Sequence, residues 1–166
     1  MPATRIDRGS TDTTTVYSDG GDLVFERTFD APREKVWKAM TDPEIVPLWW
    51  GQRNTTTIIE EMDVQVGGKW RFVSRAPDRD DIAFYGEYLE LDPPKSFKWT
   101  FMFDVEGVGP MGGPETYTFE EVDSMCKVTS IGHMGSVEVL EGALSTGMVA
   151  GGLETWDRLA ELLAKG

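Results

Sequence analysis

Strand-like segments follow one another through the middle of this chain, and that run constrains the fold more than any other feature. The segments are rich in β-branched and aromatic residues and are separated by short turns of Gly, Pro, Asp and Ser. Because short links join neighbouring strands of opposite direction, the run predicts an antiparallel sheet. The predicted strands cover residues 55–63, 69–75, 82–91, 96–103, 115–122 and 125–133.

One long connection interrupts this run at residues 106–114, whose sequence EGVGPMGGP is mostly Gly and Pro. Glycine widens the range of backbone conformations and proline offers no N–H to a sheet, so we expect irregular structure there. The segment is then either a mobile flap or the flexible end of a hairpin.

One strand and two short helices are predicted before the run of strands. Residues 14–29 first predict a strand that is interrupted by an Asp-Gly-Gly turn or bulge. Asp-Ala-Pro at 30–32 and Thr-Asp-Pro at 41–43 then each predict the start of a short helix, because proline suits the first helical turn.

A longer helix is predicted after the strands, over residues 136–165 with a break near 145–147. Its second half carries apolar side chains three and four positions apart, a stripe that must face the sheet. Gly151 and Gly152 lie within this half, where they either allow close packing or leave room beside the helix. The stripe consists of Val149, Leu153, Trp156, Ala160 and Leu163.

Together these elements predict an α+β fold. A curved antiparallel sheet of about seven strands wraps around the long C-terminal helix, and two short helices follow the first strand. The polar residues 1–13 are predicted to be a flexible N-terminal segment, and residues 14–166 a single domain.

Composition and charge narrow the function classes. The eight Phe, six Trp, four Tyr and eight Met indicate either a lined cavity or an unusually aromatic core. A formal net charge of −13 repels phosphate backbones and anionic membrane surfaces, so we predict neither a nucleic-acid nor a membrane partner.

Cys126 is the single cysteine, which excludes a disulfide framework and a thiolate metal site within the chain. We predict a buried structural thiol and, with no signal peptide or long apolar run in the sequence, a cytoplasmic protein.

Four strings in the sequence resemble a known family. FDAPREKVWKAMTDPEIVPLWW from Phe29, VGGKWRF from Val66, GEYLELDPP from Gly86 and GLETWDRLAELLA from Gly152 resemble the homologues of the activator of the ninety-kilodalton heat-shock protein ATPase. That family belongs to the START-like (SRPBCC) superfamily, with lipid-transfer domains, pathogenesis-related plant proteins, and polyketide cyclases and aromatases. The resemblance covers about residues 22–164. It implies a helix-grip fold with an apolar cavity enclosed by the sheet, the second short helix and the terminal helix.

Strand alternation indicates which side chains would line such a cavity. Alternate residues of a strand share one face, so the aromatic positions of three neighbouring strands are expected to point inward together. Tryptophans after the second short helix would close one end, and the terminal helix would form the opposite wall. The predicted lining is Trp49, Trp50, Trp70, Phe72, Phe84, Tyr88, Phe97, Trp99, Phe101, Phe103, Leu144, Met148 and Gly152.

Residues able to do acid–base or metal chemistry are sparse. His133 is the single histidine, so no site with two histidine ligands exists, and a nucleophile elbow is missing. Alternation places Glu90 with Tyr88 toward the predicted cavity, where burial would raise its pKa. Glu90 and His133 are therefore the candidate acids or bases. The Gly-rich pairs lack the context of a nucleotide site, so no cofactor is predicted.

Three functions from different classes remain. The leading hypothesis is a binding module for a small apolar or aromatic molecule. The resemblance also implies an enzyme similar to polyketide cyclases or aromatases, or an interaction module similar to the chaperone-ATPase activator. A chaperone partner is not expected, because the chain has no room for the N-terminal domain of the eukaryotic activator. An exposed edge strand would allow a homodimer.

Overall fold

The computed structural model of the protein describes residues 5–105 and 109–165. Within these residues nine antiparallel strands form one sheet, accompanied by three α-helices and one 3₁₀ turn. The strands are β1 Arg5–Asp7, β2 Thr15–Asp19, β3 Asp22–Phe29, β4 Thr56–Met62, β5 Lys69–Ala76, β6 Arg79–Asp92, β7 Ser96–Val105, β8 Gly109–Val122 and β9 Met125–His133. The helices are α1 Arg33–Thr41, α2 Val137–Leu144 and α3 Met148–Ala164, and the 3₁₀ turn is Val46–Leu48.

The sheet order is β1-β2-β3-β9-β8-β7-β6-β5-β4. Strands that follow one another in the sequence are neighbours in the sheet, except for β3 and β4. Instead, β3 pairs with β9, the last strand of the chain. The fold is α+β and consistent with the helix-grip architecture.

The strand count exceeds the predicted seven for two reasons. Residues 14–29 form a hairpin of two strands, β2 and β3, because Gly20 takes a φ of +61° in the turn between them. In addition, Arg5–Asp7 pairs with β2 as an edge strand inside the segment predicted to be flexible. Three residues without an apolar pattern gave no signal for that strand.

Residues 109–114, predicted to be irregular, belong to β8, and that part of the prediction is wrong. They pair with β7 from Thr100 opposite Pro114 to Val105 opposite Gly109. β9 pairs with β8 at residues 115–122, so the first part of β8 extends past the end of β9, where a proline without an N–H is tolerated. The remaining residues of the predicted flap, 106–108, lie outside the described part of the chain.

The helix predictions agree better with the structure. α1 begins directly after Pro32, while the second short helix is reduced to the 3₁₀ turn. Trp49 ties this turn to α1, because its indole N–H donates to the Ala39 carbonyl at 2.9 Å. The predicted break in the C-terminal helix is confirmed at Gly147, which takes a φ of +81° between α2 and α3.

α3 packs its apolar stripe against one face of the sheet, which we call the inner face. The ring of Trp156 lies 5.7 Å from the rings of both Phe25 and Phe29 on β3. Leu163, a member of the predicted stripe, is buried beside it, and so is Leu159, which the stripe did not include. Cys126 is a free, buried cysteine, and burial raises the pKa of its thiol to about 11.

Leu159→Ala tests how far stability depends on this packing. Leu159 is 0 % exposed, so the substitution opens a cavity and should lower the free energy of unfolding by about 2–5 kcal/mol. Urea denaturation measures the change. The matched control is Leu48→Ala at a leucine that is 59 % exposed, which should cost less than about 0.5 kcal/mol. Equal losses in the two variants would contradict the assignment of α3 as the main packing element.

Candidate functional site

A cavity of about 430 Å³ lies between the inner face of the sheet and the N-terminal half of α3. Phe25, Ser130 and Trp156 line it and are buried, whereas its lining residues Arg79 and Asp104 are exposed. The cavity therefore runs from a closed end beside β3 and β9 to a mouth at the β7 and β6 side.

Much of the predicted lining is found in this cavity. Aromatic rings come from the loop after the 3₁₀ turn and from β6 and β7, and α3 supplies the opposite wall. The predicted residues that line it are Trp49, Trp50, Phe84, Phe101, Phe103, Met148 and Gly152.

The other predicted residues face the inner side of the sheet but lie in the packed core. The rings of Trp70 and Trp99 stack with their centroids 4.1 Å apart, which leaves no space for a ligand between them. The alternation of side chains along these strands thus identified the inner face of the sheet correctly. Whether a residue on that face lies in the core or lines the cavity depends on its position along the strand. The predicted residues outside the cavity lining are Trp70, Phe72, Tyr88, Phe97, Trp99 and Leu144.

Gly152 allows close packing of α3 as well as contributing to the wall. A Cβ atom at this position would lie 3.1 Å from the ring of Phe25, tighter than ordinary contact. At Gly151 the nearest atom is the Gln52 side-chain nitrogen, at 3.5 Å, so a methyl group would fit there. Of the two explanations offered by the sequence, close packing therefore applies to Gly152.

The predicted orientation of Glu90 is wrong. A β-bulge shifts the pairing of β6 with β7, so that Tyr88 lies opposite Trp99 whereas Glu90 lies opposite Lys98. The extra residue reverses the alternation, and Glu90 is exposed while Leu91 packs against the core. The Glu90 carboxylate does not reach the cavity.

His133 lies on the outer face of the sheet. Alternate residues of β9, including Val128 and Ser130, are buried on the inner face, and His133 has the opposite parity. Its Nδ1 is 3.0 Å from the Asp22 carboxylate and its Nε2 is 3.4 Å from the Thr116 hydroxyl. A proton transfer inside the cavity would need another residue.

Glu115 is the polar residue that the sequence pattern missed. It lines the cavity, and one of its carboxylate oxygens accepts a hydrogen bond from the Trp99 indole N–H at 2.9 Å. The Tyr117 hydroxyl lies near this carboxyl group and interacts with it. Counting back from the buried Phe119 in steps of two would have placed Glu115 inward.

Burial controls the ionisation of Glu115 and Tyr117. Removal from water raises the pKa of the Glu115 carboxyl, and the hydrogen bond from Trp99, the interaction with Tyr117 and the charge of His133 oppose the rise without cancelling it. Burial, together with the neighbouring Glu115 carboxyl, raises the pKa of Tyr117 well above its ordinary value. Tyr117 therefore keeps its proton at neutral pH.

The described residues offer neither a metal site nor a membrane span. Within residues 5–105 and 109–165, no three His, Cys, Asp or Glu side chains lie close enough together to hold a metal ion. None of the helices in this part of the chain is long and apolar enough to cross a membrane.

Comparison with known proteins identifies the family. The family profile described as Activator of Hsp90 ATPase homolog 1-like protein matches residues 30–164. The chain belongs to this family. The resemblance carried by the four sequence strings is thereby confirmed, and no curated protein matches the chain.

Solved structures of similar proteins share the fold of this chain. Protein Ms6760 from Mycobacterium smegmatis is 27% identical over 93% of this chain and 98% of that chain, with a TM-score of 0.81. A protein from Arthrobacter aurescens is 22% identical over 92% of each chain, with a TM-score of 0.83. CalU16 from Micromonospora echinospora, 16% identical over 98% of this chain and 87% of that chain, has a TM-score of 0.58. The last two show the fold alone.

Glu115→Gln should change how the stability of this family member depends on pH. A carboxyl whose pKa is raised in the folded state stabilises the fold below its ordinary pKa, and that contribution is lost as the pH rises through the folded-state value. The unfolding free energy of the wild type relative to Glu115→Gln should therefore fall as the pH rises above 4.5, the ordinary value. Urea denaturation at a series of pH values measures the slope.

The control is Glu120→Gln, at an exposed position of the same strand. The same slope in both variants would show that the effect is one of net charge, and the prediction would be wrong.

Proposed function

We propose that this protein binds a small, largely apolar molecule in the cavity between the sheet and α3. The observation that carries the proposal is the open space of about 430 Å³ with aromatic walls, in the size range of small-molecule sites. The family fold commonly binds hydrophobic ligands, which supports the same function.

The walls favour a flat, aromatic ligand. Trp50 packs edge-on against Phe84 with ring centroids 5.0 Å apart, and Phe84 lies 5.6 Å from Phe101 on the neighbouring strand. These contacts hold the rings in fixed orientations, so the cavity is preformed and little side-chain ordering accompanies binding. A ligand that transfers on the order of 300 Å² of apolar surface from water gains about 7 kcal/mol before the cost of association.

Met148→Trp tests the cavity directly. The larger side chain at the start of α3 fills part of the space, so the affinity for the neutral probe naphthalene should fall at least about tenfold. Equilibrium dialysis measures the dissociation constant. The matched control is Ala150→Trp, an exposed position on the same helix that does not line the cavity, and it should bind as the wild type does.

Two outcomes would contradict the proposal. One is an equal loss of affinity in both tryptophan variants, which would place the probe elsewhere. The other is a wild-type protein that binds no naphthalene and, purified from its own host, carries no small molecule in native mass spectrometry.

A proton-transfer enzyme similar to the polyketide cyclases is the second candidate, and Glu115 is the observation in its favour. A carboxyl group in an apolar cavity with a raised pKa is suited to general acid–base work. Its carboxylate would take a proton from the carbon beside a ketone, the electron pair would move to the carbonyl oxygen, and the proton would return to carbon. Tyr117, protonated at neutral pH, would stabilise the enolate oxygen.

The exchange of tetralone α-protons with deuterium from heavy water separates the two candidates. An enzyme should accelerate the exchange about a hundredfold over buffer, and Glu115→Gln should abolish the acceleration because an amide cannot take the proton. Proton NMR measures the rate. A binding protein should leave the exchange no faster than in buffer, and acceleration that persists in Glu115→Gln would exclude Glu115 as the base.

A further inference from the structure

The buried end of the cavity presents a hydrogen-bonding group that is not fully used. A carboxylate offers about four lone-pair sites, and Glu115 accepts a hydrogen bond from the Trp99 indole N–H at 2.9 Å, with the Tyr117 hydroxyl nearby. Since Glu115 lines the cavity, the remaining sites are open to a ligand there. In the cross-strand register Tyr117 lies opposite Ser130, so the buried Ser130 hydroxyl, which also lines the cavity, is next to Tyr117.

The charged side chains at the mouth already have protein partners and face water. The Arg79 guanidinium donates to the Ser74 hydroxyl at 3.0 Å and to the Asp80 carbonyl at 2.9 Å, and the Asp104 carboxylate accepts from the Tyr85 hydroxyl at 2.9 Å. Arg79 and Asp104 are also exposed, so water competes with any ligand there. The orientation of a bound molecule therefore depends on hydrogen bonds at the part of the cavity that Glu115 lines.

From this geometry we propose that the ligand is a neutral aromatic alcohol, a phenol or a hydroxylated fused-ring compound, whose hydroxyl group bonds to Glu115. This proposal rests on the proposed binding function and specifies its ligand class. A hydroxyl both donates and accepts, so it pairs with the carboxyl in either protonation state.

Other ligand classes fit the buried end less well. A hydrocarbon would strip water from Glu115 and return no hydrogen bond, which costs binding free energy. A carboxylate ligand would bring a like charge next to the Glu115 carboxylate. An ammonium ligand would have to lose its hydration in a largely apolar cavity before it paired with Glu115.

Equilibrium dialysis with four matched probes tests the proposal: naphthalene, naphthol, naphthoate and naphthylmethylamine. The wild type should bind naphthol about tenfold more tightly than naphthalene, as expected for one hydrogen bond to a buried acidic group. Naphthoate and naphthylmethylamine should bind no more tightly than naphthalene.

Two variants assign the preference to Glu115. In Glu115→Leu the preference for naphthol over naphthalene should fall below that of Glu115→Gln, because the carboxyl group is gone and only the hydroxyls of Tyr117 and Ser130 remain beside it. Glu115→Gln, which keeps the size and both hydrogen-bonding roles of the side chain, should retain about a threefold preference. Glu120→Gln, on the same strand but exposed, should behave as the wild type.

The outcomes separate this proposal from the binding function. If the wild type binds naphthalene and naphthol equally, or binds the amine or the carboxylate most tightly, the ligand class is wrong while the binding function stands. If Glu115→Leu keeps the full naphthol preference, the hydroxyl site is elsewhere and the proposal is overturned. If none of the probes binds and the protein purified from its own host carries no small molecule, the binding function itself fails.

Discussion

The packing of Trp156 against β3 is the interaction on which the rest of the structure depends. Its contacts with Phe25 and Phe29 hold the C-terminal half of α3 close to the sheet, where Leu159 and Leu163 complete the core. The first turns of the same helix meet strands β6 and β7 across a space that no side chain fills. One helix thus serves as an anchor at one end and as the wall of a cavity at the other.

The aromatic residues of the inner face divide into two groups with different tasks. Trp70 and Trp99 stack in the packed interior, and Trp99 also aims its indole N–H at Glu115. Phe101 and Phe103, one and two alternate positions further along β7, leave the core and line the cavity. The core therefore orients the acidic group of the cavity, and a change at Trp99 would affect both stability and the site.

The predictability of this structure follows from how local each signal is. Most strand positions, the inner faces of β5 and β7 and the break before α3 depend on residues close in the sequence, and they were predicted. The orientation of Glu90 depends on a β-bulge, and its single extra residue leaves no pattern of its own. Whether Phe97 or Phe101 borders empty space depends on how far α3 extends over the sheet. That distance is a tertiary property, and it also decides that Glu115 borders the cavity.

The Gly-rich and Pro-rich start of β8 has a consequence for self-association. Residues 109–114 continue past the end of β9 and pair with β7, and among residues 5–105 and 109–165 no strand pairs with the other side of this stretch. Unpaired strand edges are templates for the growth of aggregates. Pro110 and Pro114 have no N–H to offer, and Gly112 takes a φ of +130°, which breaks the regular pleat. The segment beside the cavity mouth is therefore a poor template, and the sheet is protected where its edge would otherwise invite another chain.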